Sequence, residues 1–201
     1  MKSALPLFSG VLAAALLAGC SADGGDDGAE PETSEQPAAA AESTEPTIRT
    51  EAALAEFTAP SGYSQSSEEG VSFALEYDHV GASYQLENGT AYEQIFVTSY
   101  LLPEDADTAS FDGRAAFVAE YDAVTGNETS SSGTRAIASG YPAVFRYLKV
   151  DYDGESAQQR NFFVFDGNAM TQITCQWKDP ELEDAITKGC QEVQENLNLP
   201  A

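Results

Sequence analysis

Histidine, cysteine and basic residues are scarce in this chain of 201 residues. It has one histidine, His79, three cysteines, and nine Lys and Arg against 33 Asp and Glu, a formal net charge of −24. One histidine provides too few nitrogen ligands for a zinc site and supports at most one histidine-based catalytic centre. The acidic excess repels phosphate backbones, which excludes nucleic-acid binding. The G-x-S-x-G signature of serine hydrolases is also missing.

The first 20 residues have the pattern of an export signal. Lys2 precedes an apolar stretch, residues 4–17, that is too short to span about 30 Å of hydrocarbon comfortably. The stretch ends in the letters L-A-G-C, and this ending resembles the lipobox of bacterial lipoproteins. The resemblance implies that residues 1–19 are a signal peptide and that Cys20 receives a thioether-linked diacylglycerol. We therefore expect a mature protein anchored by lipid to the extracytoplasmic face of the cell membrane.

Residues 20–50 form a predicted tether and residues 51–201 a predicted single domain. The tether is rich in Ala, Glu, Pro and Ser and contains no aromatic residue, so it cannot bury enough apolar surface to fold. The domain carries seven basic and 25 acidic residues, a formal net charge of −18. Such a charge suits a soluble exported surface, and attraction of cations or of a basic partner is the alternative interpretation.

Hydrophobic periodicity predicts an α+β domain. Apolar residues recur at helical spacing over residues 111–124, and again over residues 182–197 after Pro180. Period-two alternation and β-branched runs predict the strands. These strands cover residues 71–77, 81–90, 92–102, 144–152, 160–166 and 171–177, with a further short strand near Phe57. Because turn-like segments join the later strands, we expect an antiparallel sheet flanked by helices.

The two cysteines of the domain are predicted to form a disulfide. With Cys20 taken by lipid, Cys175 and Cys190 remain in an oxidising compartment. Strand alternation directs Cys175 to the buried face, and helical spacing directs Cys190 to the core side of the last helix. Both patterns therefore point into the same interior. A bridge that closes a loop of about 15 residues stabilises a fold by about 3 kcal/mol.

One segment of the domain carries a family resemblance. G-Y-P-A-V-F-R-Y at residues 140–147 leads into two further strands, then into a strand that holds Cys175 and a final helix that holds Cys190 and ends in N-L-N-L. This arrangement resembles the PsbP-like family, including LpqN-type lipoproteins of high-GC Gram-positive bacteria. The resemblance implies an α/β/α sandwich and a non-catalytic accessory or binding role. The alternative fold is a curved sheet of the cystatin or nuclear-transport-factor type, with a long helix ahead of the strands.

The expected function is a non-enzymatic binding or accessory module of the cell envelope. Its partner would be an unknown protein or a small envelope ligand, without cofactor or metal. A carrier that encloses a lipid or another apolar ligand is the main alternative, and a carboxylate-based hydrolase is a third hypothesis. Tyr141, beside Pro142 at the start of a strand, is the candidate binding-surface residue. Asp151, Asp153 and Glu155 resemble part of a calcium loop, but a hairpin turn explains Asp153-Gly154 better.

Overall fold

A computed structural model describes residues 48–67, 75–126, 128–137, 139–152 and 154–199. Within these residues an antiparallel sheet of seven strands carries two helices, which confirms the predicted α+β class. The helices are α1 (Phe111–Thr125) and α2 (Glu183–Asn196), and a 3-10 turn at Pro180–Leu182 precedes α2. The strands are β1 (Tyr63–Ser67), β2 (His79–Leu86), β3 (Gln94–Leu101), β4 (Glu128–Ala136), β5 (Pro142–Tyr152), β6 (Glu155–Asp166) and β7 (Ala169–Trp177).

The strand order in the sheet is β1-β2-β3-β7-β6-β5-β4. Two antiparallel meanders, β1 to β3 and β4 to β7, meet where β3 pairs with β7. Strand β7 begins after the turn at Asn168 and ends before Lys178. We use these two residues to name the opposite ends of the sheet, the Asn168 end and the Lys178 end. At about 3.3 Å per residue, the two ends lie about 30 Å apart.

Both faces of the sheet are covered by hydrophobic residues. Ile186 and Val193 of α2 pack on one face, and Val118 and Tyr121 of α1 pack on the other. Alternate positions of the same strands supply the two cores, as the pleat requires. Phe162 and Phe163 of β6, for example, are neighbours in sequence and lie in different cores. The sheet therefore lies between its two helices.

Polar side chains of β6 and β7 are also buried, on the face that α1 covers. Gln159, Asn161, Gln172, Thr174 and Gln176 are at most 3% exposed. The Gln159 amide donates to Gln176 Oε1 and the Gln172 amide to Asn161 Oδ1, both over 2.8 Å. Buried amides that bond one another avoid the cost of desolvation and hold neighbouring strands in one register.

The structure changes the predicted strand boundaries. The strand predicted at 71–77 is wrong for residues 75–77, which lie outside any strand, and residues 71–74 lie outside the described residues. Leu75 packs instead into the core on the α1 side. Strands β1 and β4 were not predicted because YSQSS and ETSSSGTRA contain almost no large apolar residues. Each is an edge strand that pairs with one neighbour only, so it buries little apolar surface in the sheet.

Cys175 and Cys190 lie together in the core on the α2 side. They are 0% and 3% exposed, and their sulfur atoms are at disulfide distance. The Cα atoms are 6.0 Å apart, which suits a disulfide between a strand and a helix packed on it. Alkylation under non-reducing conditions followed by intact-mass measurement should therefore find no free thiol at either position.

Candidate functional site

A pocket of about 480 Å³ opens at the Lys178 end of the sheet. The turn between β2 and β3 forms one wall, and the connection from β7 to α2 forms the other. One aromatic ring and one leucine line the pocket, and every other lining residue is polar or charged. The lining residues are Asn88, Thr90, Tyr92, Glu93, Lys178, Asp179 and Leu182. The polar side chains supply hydrogen-bonding and charged groups, and the Tyr92 ring and Leu182 supply apolar surface.

Glu93 holds the two walls of the pocket together. Its Oε2 accepts from the Thr90 N–H (2.8 Å) and hydroxyl (2.6 Å), and its Oε1 accepts from the N–H groups of Lys178 (3.0 Å) and Asp179 (3.2 Å). Burial raises the pKa of Glu93, but these four hydrogen bonds outweigh it and leave the pKa below its ordinary value. Glu93 is therefore an ionised structural group that fixes two loops.

Lys178 lies against a group of aromatic and acidic side chains. Its ammonium pairs with Glu155 Oε2 and lies 4.9 Å from the centroid of the Tyr92 ring. The ring centroids of Tyr92 and Tyr152 are 6.2 Å apart. The hydrogen bond to Glu155 is the main cause that raises the pKa of Lys178. We call Tyr92, Tyr152 and Glu155 the ammonium cage.

Hydrogen bonds hold the Tyr152 side chain and the Tyr92 backbone of the ammonium cage. The Tyr152 hydroxyl donates to Gln176 Oε1 (2.8 Å) and accepts from the Gln159 amide (3.2 Å), so it joins the buried amide network. The Gln176 amide donates in turn to the Tyr92 carbonyl (3.1 Å). Burial raises the pKa of Tyr152 above its ordinary value.

Arg49, near the start of the described residues, is bonded at the Asn168 end of the sheet. Its guanidinium donates to the Asp166 carbonyl (2.6 Å) and carboxylate (2.7 Å), and its backbone exchanges hydrogen bonds with the Asn168 side chain. Arg49 lies within the predicted tether, residues 20–50, for which no structural role is predicted. One feature of the sequence could have indicated this role: Arg49 is the only lysine or arginine between Lys2 and Arg114.

The residues singled out from the sequence are not gathered in the pocket. Tyr141 is half-buried against the core on the α2 side and lies just before β5, at the other end of that strand from Tyr152. His79 starts β2 at the Asn168 end, with Nδ1 3.0 Å from the Tyr77 carbonyl oxygen. Asp151 Oδ1 accepts from the Gly154 N–H (2.8 Å), as a hairpin turn requires. Cys20 and Asp153 lie outside the described residues.

Within the part of the chain that the structure describes, no helix is both long and apolar enough to cross a membrane. Nor do three or more His, Cys, Asp or Glu side chains come together there in a way that could hold a metal ion.

Comparison with known proteins gives resemblance in shape alone. No family model matches the chain, and no curated protein sequence matches it. A solved structure from Bacteroides thetaiotaomicron has a TM-score of 0.47 and 9% identity, and the match covers 73% of this chain and 44% of that one. A protein of unknown function from Pseudomonas aeruginosa also has a TM-score of 0.47, with 14% identity over 69% of this chain and 99% of its own. Neither likeness assigns a function.

Proposed function

We propose that this chain is a lipid-anchored extracytoplasmic protein whose domain is a non-enzymatic binding module of the cell envelope. Cys20 would carry the lipid, and the pocket at the Lys178 end would bind the partner. The observation that carries this proposal is the separation of the two ends of the sheet. Arg49, just before the predicted start of the domain, is bonded at the Asn168 end. The pocket lies at the other end of β7, about 30 Å away.

The lining of the pocket favours a polar partner over the alternative of a lipid carrier. A carrier needs an enclosed apolar cavity, whereas this pocket is open to solvent and its lining includes Thr90 and the charged residues Lys178 and Asp179. Leu182 and the Tyr92 ring add apolar surface to the same pocket. A polar or charged group on a protein or small envelope ligand would therefore fit better than an acyl chain.

The state of Glu93 argues against a part for this residue in acid–base catalysis. A general acid or base must exchange a proton near the working pH. The Glu93 carboxylate accepts four hydrogen bonds and has a lowered pKa. It therefore stays ionised, and its oxygens are already bonded to donors of the protein. These bonds make Glu93 a scaffold for the pocket and not a candidate for proton transfer.

A PsbP-like sandwich is our proposal for the finer fold. An antiparallel sheet with helices on opposite faces agrees with it. The cystatin or nuclear-transport-factor alternative predicts a long helix ahead of the strands, and residues 48–67 contain none. The proposal therefore rests on element order and on the placement of α1 and α2.

Anchoring can be tested by expressing the full chain in a bacterial host that is fed an alkyne-labelled fatty acid. We expect the wild-type protein to be labelled and to sediment with membranes, and Cys20→Ser to be unlabelled and not to sediment. Unlabelled wild-type protein in the soluble fraction would contradict the anchor.

Binding can be tested separately with the anchored protein and an envelope extract, at low and high salt. Tyr92→Leu should lose any captured partner, whereas Tyr141→Leu, the matched variant outside the pocket, should keep it. Retention by Tyr92→Leu together with loss by Tyr141→Leu would move the binding surface away from the pocket.

A further inference from the structure

We propose that the ammonium cage of Tyr92, Tyr152 and Glu155 is a recognition site for a lysine side chain of a basic peptide partner, and that Lys178 of the same chain occupies it in the free protein. The inference rests on the proposed binding function and names the chemical group that is bound. It assigns Lys178 the role of an internal competitor that the ligand amine must replace.

The geometry of the cage matches ammonium chemistry. An ammonium group is attracted to the electron-rich face of an aromatic ring within about 6 Å of its centroid. Lys178 Nζ lies 4.9 Å from the Tyr92 centroid and also pairs with the Glu155 carboxylate. The Tyr152 ring lies 6.2 Å from Tyr92 and extends the aromatic surface. A carboxylate beside tyrosine rings provides charge and an aromatic surface for one aliphatic amine.

The two tyrosines of the cage make several hydrogen bonds, whereas Lys178 is held by an exposed ion pair. Tyr92 directly precedes the four-bonded Glu93 and accepts a hydrogen bond at its carbonyl, while the Tyr152 hydroxyl makes two hydrogen bonds. The side chains of Lys178 and Glu155 are 39% and 54% exposed. Exposed ion pairs contribute little net stability, so Lys178 can swing into solvent while the rings stay in place. The two tyrosines of the cage are therefore preformed, and the ion pair between Lys178 and Glu155 is exchangeable.

Space and charge around the cage favour a cationic ligand. Lys178 and Tyr92 also line the 480 Å³ pocket, whereas Tyr152 and Glu155 do not, so the cage adjoins the pocket at Lys178 and Tyr92. Asp179 lines the same pocket, and the exposed Glu87 and Glu181 are sequence neighbours of lining residues. Together with the net charge of −18 over residues 51–201, these carboxylates attract a basic segment and repel an acidic one.

The test uses the peptide acetyl-Gly-Gly-Lys-Gly-Gly-amide as the probe and its norleucine analogue as the uncharged control, with binding followed by NMR titration. We expect Lys178→Met to bind the lysine peptide about fivefold more tightly than wild type, because the competitor is gone while the rings remain. Lys149→Met removes the same charge from an exposed position on β5 and should stay within about twofold of wild type. The norleucine peptide should not bind.

Two variants show whether the cage itself binds the amine. In the Lys178→Met background, Tyr92→Leu and Glu155→Gln should each weaken the lysine peptide at least about fivefold, and the amide spectrum of the same sample shows whether each variant is folded. Glu155 lies in the exposed β5–β6 hairpin, so its substitution tests the site even if Tyr92→Leu does not fold.

An equal gain in affinity for the lysine peptide in Lys178→Met and Lys149→Met would overturn the cage in favour of general charge attraction. Unchanged affinity on adding Glu155→Gln to Lys178→Met would do the same. Absence of any binding would overturn it too. If capture from the envelope extract still required Tyr92 in that case, the proposed binding function would stand and only the amine ligand would be wrong.

Discussion

The two ends of the sheet each carry an ion pair, and the two pairs differ in burial. At the Asn168 end the side chains of Arg49 and Asp166 are 7% and 35% exposed. At the Lys178 end the side chains of Lys178 and Glu155 are 39% and 54% exposed. A guanidinium provides a rigid fork of donors, whereas an ammonium is a compact charge on a flexible stem. The first pair therefore joins parts of the fold, and the second is a contact that a ligand can replace.

The largest expected effect comes from breaking the pair at the Asn168 end. Arg49→Ala removes the guanidinium from Asp166, and we expect a loss of about 2–3 kcal/mol in the free energy of unfolding, reduced from the fully buried case because Asp166 is partly exposed. Urea denaturation measures this loss. Arg49→Lys keeps the charge without the fork and should lie between wild type and Arg49→Ala. Equal stability of all three proteins would contradict a structural role.

A second prediction concerns Glu93, which is part of the fold although it lies at the Lys178 end. Glu93→Gln puts an amide against the donors of Thr90, Lys178 and Asp179, and should cost about 1.5 kcal/mol at neutral pH. Because the pKa of Glu93 is lowered on folding, its contribution is fully present above the ordinary pKa of 4.5 and is lost as the pH falls through the lowered value. The free energies of unfolding of wild type and Glu93→Gln should therefore converge as the pH is lowered from 7 to 3. A constant difference across this range would count against the assignment.

A smaller effect separates the ring of Tyr152 from its hydroxyl. Tyr152→Phe keeps the aromatic surface of the cage and removes the hydrogen bonds to Gln176 and Gln159, which should cost about 1 kcal/mol of stability. In the Lys178→Met background the affinity for the lysine peptide should stay within about twofold, since the ring face provides the attraction. Loss of affinity with unchanged stability would assign the hydroxyl, and not the ring, to binding.

The smallest expected effect is that of Lys178 on stability. Lys178→Met removes an exposed ion pair, so its unfolding midpoint should equal that of wild type within the error of the measurement. Glu155→Gln provides the matched variant from the other side of the pair. A clear loss of stability in both variants would make this pair structural, like the one at Arg49, and would remove the contrast between the two ends.

Much of the fold could be predicted from strong local periodicity. The helix stripes of α1 and α2, and the apolar runs that became β3, β6 and β7, predicted the α+β class and the order of the central elements. The edge strands β1 and β4 gave no such signal because their sequences are polar. The amide positions of β7 were not predicted to be buried, because period-two alternation describes a sheet with one covered face.

The candidate site could not be predicted for a different reason. Glu93 bonds residues 85 and 86 positions away in the chain, and Arg49 bonds Asp166 across 117 positions. Contacts at such separation leave no local pattern, and in an acidic chain neither carboxylate is conspicuous. Tyr141 was selected because it lies beside a proline at the start of a strand, whereas Tyr92 and Tyr152 acquire their arrangement only when two hairpins meet.

The most direct measurement of the central claim is the NMR signal of the Lys178 side-chain methylene next to the ammonium, assigned by its absence in Lys178→Met. In the free protein the ring current of Tyr92 should shift this signal away from that of an exposed lysine such as Lys149. Saturation with the lysine peptide should move the signal to the exposed-lysine position, because the ligand amine displaces Lys178 from the cage. A Lys178 signal that keeps its free-protein position while the peptide binds would contradict the account.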